Sequence, residues 1–160
     1  VIVFAFAGCS SAAKTNSNTT ANAVSTSDTS KVDIDITEEK YVTYINELYA
    51  NTANYVGKVI KIQGMYTYEE YNGKKYYYVY RVGPGCCGND GSMCGLEFTT
   101  NGNYPSYTPA DIDTNDNHPW IEITGTLETY TEGTSTFLTL KDTTVKELPD
   151  SQRGADTVSL

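Results

Sequence analysis

Apolar positions along this chain recur with two different periods. Tyr41, Tyr44, Ile45 and Leu48 fall at i, i+3, i+4 and i+7, which predicts one helix with a single apolar stripe. Thr37 stands where an N-cap belongs, and Glu38 and Glu39 follow where the helix dipole favours acids. Asn51 to Asn54 ends the pattern. From Val59 the period is two. Val59-Ile-Lys-Ile-Gln-Gly64-Met-Tyr-Thr-Tyr68 mixes β-branched and aromatic residues around a mid-strand glycine, the mark of a bulge or sharp bend. Asn72-Gly73 is the two-residue hairpin signal. Lys75 to Val82 then puts Tyr76, Tyr78 and Tyr80 on one face and Tyr77, Val79 and Arg81 on the other. Leu96-Glu-Phe98 is a short strand, Trp120 to Glu128 alternates again, and Thr136–Leu140 with Thr144–Leu148 completes the set.

One helix followed by five strands, the first long and bent at Gly64, predicts a mainly β fold. The expected architecture is a small five-stranded barrel of the OB type preceded by one N-terminal α-helix. A β-sandwich would need more strands than the pattern supplies. The folded part is expected over residues 33–148, with 149–160 a frayed, disordered tail.

Ahead of that domain the composition changes. Residues 1–8 are apolar, too few to cross a bilayer, and read as the end of a signal-peptide hydrophobic region whose start lies outside this sequence. Phe6-Ala7-Gly8-Cys9 resembles the lipobox of bacterial lipoproteins, with Phe6 where that family prefers Leu. The resemblance implies lipidation at Cys9. Residues 9–32, mostly Ser, Thr, Asn and Ala, cannot bury a core and read as a flexible tether. Two or three acyl chains suffice for stable anchoring. The expected location is the outer face of the bacterial cytoplasmic membrane.

Charge narrows the function. Eleven Lys and Arg against 20 Asp and Glu leave a net charge of -9, which argues against nucleic acid as a partner. A single histidine, His118, excludes multi-His metal sites and leaves no third residue to orient a Cys-His pair. The chain is therefore expected not to be an enzyme. Fourteen tyrosines against 4 Phe and 1 Trp suggest strands with a wet face.

Three constellations carry candidate chemistry. Cys86, Cys87 and Cys94 lie in the glycine-rich segment Gly83 to Gly95. A disulfide from Cys94 to Cys86 or Cys87 would pin this loop outside the cytosol, whereas a direct Cys86–Cys87 bridge would be strained. The same thiolates could instead hold Zn or Cu, with Met93 or His118 as an extra ligand, though the spacing matches no common zinc pattern. Free redox-active thiols are the third alternative. Asp111, Asp113 and Asn115, with Glu122, place oxygen ligands as in an EF-hand loop, but Asp116 occupies the glycine position and no helices flank it. A solvated Asx-rich loop is the plainer reading. Finally, Tyr66 and Tyr68 are expected to pair across the hairpin with Tyr76, Tyr78 and Tyr80. That ladder is either packing or a platform for sugars or peptides.

Tyr55-Val-Gly-Lys-Val59 running into Ile62-Gln-Gly64, then Tyr80-Arg81 before Cys86-Cys87, then Trp120-Ile-Glu-Ile-Thr-Gly125, resembles the OB-like C-terminal domain of the uncharacterised YcgQ-type membrane proteins. The likeness spans roughly residues 54–148 and implies the barrel fold and an association with permeases. After Cys87 this sequence continues Gly88-Asn89-Asp90, where family members tend to carry Ala and Asp. Together these features lead to the expectation of a lipid-anchored binding or accessory protein, with the cysteine loop as its candidate for handling Zn or Cu. The alternative is an interaction module with a disulfide-closed loop, contacting glycan or a surface protein.

Overall fold

A computed structural model describes residues 31–84, 91–102, 104–106 and 118–160. Within them the chain runs from a short strand β1 (Ile34–Ile36) into helix α1 (Tyr41–Ala50), which a 3-10 turn at Glu38–Lys40 leads in. Five longer strands follow: β2 (Val59–Tyr71), β3 (Lys74–Gly83), β4 (Ser92–Phe98), β5 (Trp120–Glu132) and β6 (Ser135–Leu148). They pair in the order β2-β3-β4-β6-β5, and β5 returns to β2, closing a five-stranded barrel. The β4–β6 contact is parallel and the rest of the circuit antiparallel. This is the strand order of an OB barrel, as the sequence pattern predicts.

Closure depends on the length of β2. Its first half pairs with β5 and its second half with β3, and Gly64 stands at the changeover. A Cβ at Gly64 would meet the Tyr80 carbonyl oxygen at 2.5 Å, so the glycine is required by the approach of two backbones. The β2–β3 turn is the expected two-residue one, with Asn72 and Gly73 at φ 51° and 76°, as a type I′ turn demands. The two late apolar runs expected from sequence are one strand, β6. It bends where two of its residues, Asp142 and Thr143, oppose Gly125.

The barrel interior is filled by Ile60, Ile62, Val79, Leu96, Phe98 and Ile123, among others, each fully buried. Each such side chain contributes about 1.5–3 kcal/mol on leaving water. Helix α1 covers one side of this core with Tyr41, Val42, Ile45 and Leu48 buried. Thr37 sits in extended conformation ahead of the helical turns but makes no side-chain cap bond.

The expectation of a disordered tail over 149–160 is corrected. Asp150–Gln152 form a 3-10 turn, and Val158 is buried in the main core. Beyond Tyr80, β2 no longer pairs with β3, so that flank of β3 is open. The tail fills it: Val82 N donates to Asp156 O at 2.8 Å, and Val158 N donates to Val82 O at 2.9 Å. The polar, Gly-containing sequence hides this because the pairing depends on a vacancy created elsewhere. β1 is likewise unannounced, a three-residue strand parallel to β2.

Candidate functional site

On the outer face of the barrel, the tips of the β2–β3 and β5–β6 hairpins frame a groove of about 490 Å³. Tyr76 and Tyr78 form its floor from β3, and Glu97 comes from β4. Tyr130, Glu132 and Phe137 come from the β5–β6 hairpin, and Glu69 and Glu70 from the end of β2. Alternation builds this wall. Tyr76 and Tyr78 project outward while Tyr77 and Val79 project into the barrel, and Glu97 stands opposite Tyr78 in the β3–β4 register.

The groove is held by phenol-to-carboxylate bonds. Tyr130 OH donates to Glu97 Oε2 at 2.6 Å. Tyr76 OH lies 2.8 and 2.7 Å from the two oxygens of Glu132 and donates to that carboxylate. The Tyr130 and Phe137 rings stack with centroids 5.4 Å apart. Lys74, the first residue of β3, sets its ammonium 4.3 Å from the Tyr76 centroid and 3.7 Å from Glu132. Burial raises the Glu97 carboxyl above its ordinary value, against the pull of the Tyr130 bond. Burial likewise pushes the Tyr78 phenol up to about 12, with the Glu69 and Glu97 charges adding to it. The bond to Glu132 raises Tyr76. These phenols are neutral at pH 7.

The expected tyrosine ladder is corrected by register. Tyr66 opposes Val79 and Tyr68 opposes Tyr77, so both lie in the alternation of the inner face. There Tyr77 is the hub, stacked on Tyr104 at 3.6 Å and parallel to Tyr66 at 6.3 Å. The outer three divide. Tyr76 and Tyr78 line the groove, whereas Tyr80 packs with Met65, Trp120 and Leu148 in a separate cluster.

A second site is closed. Arg81 projects inward and is 2% exposed. Its guanidinium donates to Gln63 O at 3.2 Å, Glu38 Oε2 at 3.1 Å and Ala155 O at 3.3 Å. Tyr41 and Trp120 lie against it, 4.8 and 4.9 Å from their ring centroids. The hydrogen bond from Arg81 holds the Glu38 carboxyl below its ordinary value, helped by the Ala155 backbone N–H. Glu38, expected as a helix-dipole acid, is thus the partner of a buried cation.

Of the cysteine constellation, Cys94 is half-buried opposite Arg81 and packs on the main core. Burial raises its thiol. It lines a cleft of about 470 Å³ between α1 and the open ends of β3 and β4. Met93, next along the strand and on its other face by alternation, is exposed and borders the same cleft as Cys94. His118 stands edge-on to Tyr80, which also projects to that other face. Cys86, Cys87, Asp111, Asp113, Asn115 and Cys9 lie outside the described residues, as do the signal and most of the tether. Glu122 is a strand residue whose carboxylate accepts from Gln63 Nε2 at 2.7 Å. Among the described residues no group of three or more His, Cys, Asp or Glu is placed to hold a metal ion. Nor is any described helix long and apolar enough to cross a membrane.

A closed five-stranded barrel with a helix packed beside it, and a groove at its hairpin tips, defines a small OB-type domain. Residues 11–153 match the family of the DUF1980 C-terminal domain, and the chain belongs to that family. No curated protein matches the chain.

Proposed function

We propose that this protein is a non-catalytic binding module. It is tethered by a lipid on Cys9 to the outer face of the bacterial cytoplasmic membrane, where it serves a permease or another surface protein. The groove between the hairpin tips is its binding site. The observation that carries this reading is the joint supply of Tyr76, Tyr78, Tyr130 and Glu97 by three strands to one open cavity of about 490 Å³. Ligand sites favour such concave, aromatic-lined places, and this one lies where OB barrels offer their strand face and hairpin loops. The test is a screen of short peptides, amines and soluble saccharides by amide NMR on the full chain. Shifts concentrated on Tyr76, Tyr78, Glu97 and Tyr130 are the expected result. Shifts that never favour these positions for any probe would remove the groove from consideration.

A second reading keeps the cysteine loop in play as a Zn or Cu site built on Cys86, Cys87 and Cys94. What favours it is the position of Cys94 on the wall of the cleft beside α1. Native mass spectrometry with parallel alkylation separates the alternatives. Stoichiometric metal that protects the thiols supports this reading. A metal-free protein whose melting temperature falls with reductant alone supports a disulfide.

A further inference from the structure

We infer that the groove takes a primary ammonium group carried on an unbranched methylene chain, such as a lysine side chain or a polyamine. The inference rests on the proposed reading of the groove as the binding site, and it names the ligand chemistry. Glu69, Glu70, Glu97 and Glu132 line the groove, and among the described residues no Lys or Arg does. An anionic ligand is repelled there. A neutral sugar brings no counter-charge to this acidic lining, in which Lys74 already pairs with Glu132.

The ring faces point the same way, since each carries the negative side of its quadrupole toward a cation. The protein already performs this recognition once. Lys74 lines the neighbouring cleft, not the groove, and its ammonium lies 4.3 Å from the Tyr76 centroid and 5.4 Å from that of Tyr130. The same two rings and Glu132 border the groove. Tyr71 and Phe137, 66% and 43% exposed, offer apolar surface on the groove wall for a methylene stem. The neutral phenol of Tyr78 supplies an oxygen able to accept an ammonium N–H.

The experiment is an amide NMR titration of the full chain at physiological salt with tri-lysine amide, spermidine and a neutral N-acetylglucosamine trimer. Either cationic probe, or both, is expected to shift Tyr76, Tyr78, Glu97, Tyr130 and Glu132. The affinity should fall about tenfold in Glu69→Gln/Glu132→Gln. Both replaced residues are exposed, and the variant's own spectrum reports whether its fold is intact. Binding of tri-lysine alone identifies a polypeptide source, and of spermidine alone a polyamine. Cation-induced shifts spread over the whole acidic surface, or unaltered in the variant, would overturn the inference. So would groove shifts produced by the saccharide and by neither cation, which leaves the binding reading standing. If no probe moves the groove, the binding reading fails with it.

Discussion

Arg81 and Glu97 are the charged side chains that the described barrel buries, at 2% and 8% exposure, and they stand on adjacent strands. Arg81 points inward and is enclosed by a carboxylate, two carbonyls and two aromatic rings. Glu97 points outward beneath an open groove, with a neutral phenol as its bonded partner. Their electrostatics differ in sign as well as in charge. The Arg81 pairing lowers the carboxyl of Glu38, whereas burial raises that of Glu97. One end of the ladder is arranged for stability. The other carries an unfavourable burial that the Tyr130 bond and the Lys74 charge offset only in part.

The largest effect should come from breaking the closed end. Arg81→Ala removes three hydrogen bonds and the stacked guanidinium at once, and is expected to cost about 3–5 kcal/mol in urea unfolding. Glu38→Gln should cost less, about 1–3 kcal/mol, because it removes the carboxylate charge beside the buried guanidinium but leaves Arg81 its carbonyl acceptors. Equal losses in the two variants would mean that the enclosure of Arg81 carries none of the stability. Ending the chain at Pro149 should cost roughly 2–3 kcal/mol, since it removes the buried Val158 and the 3.0 Å bond from Trp120 Nε1 to Asp156. An unchanged melt would return the tail to the periphery.

Gly64→Val should destabilise by about 1–3 kcal/mol through the clash with the Tyr80 carbonyl, and a neutral melt would contradict that approach. The smallest change belongs to the open end and has the opposite sign. Glu97→Gln is expected to stabilise by roughly 0.5–1 kcal/mol at neutral pH. A raised folded pKa gives a contribution that is complete below the ordinary carboxylate range and lost as pH rises through the folded value. Melts of the parent should therefore show this decline above about pH 4.5, and melts of Glu97→Gln should lack it. Glu38 works in reverse: its lowered pKa gives stability present above that range and lost as pH falls below it. A decline that persists in Glu97→Gln would assign it to another group.

The parts of this molecule legible from sequence are those fixed by neighbours along the chain. The stripe from Tyr41 to Leu48, the turn at Asn72-Gly73 and the inward set Tyr77, Val79 and Arg81 are each settled by residues a few positions apart. The groove is legible only in part. Tyr76 and Tyr78 announce a wet tyrosine face, but the bond from Tyr130 to Glu97 joins residues 33 positions apart, and that from Tyr76 to Glu132 spans 56. Such partners are chosen by barrel closure, and no local pattern encodes them. Tyr66 and Tyr68 show the other limit. Strand periodicity alone does not fix the register between strands, and a one-residue offset reverses the face a side chain shares with its partner.

The dependence of Arg81 on the tail also orders events in time. Its bond to Ala155 closes a separation of 74 residues, so a chain emerging N-terminus first presents the arginine long before its last acceptor exists. Until then the cation has Glu38 and Gln63 but lacks the tail that completes its enclosure. Cleavage anywhere short of Ala155 leaves that half-finished state permanent, with an open flank on β3 for proteases and stray strands to find. Residues 155–158 thus act as a check on synthesis, rewarding only a chain that has been made through to them.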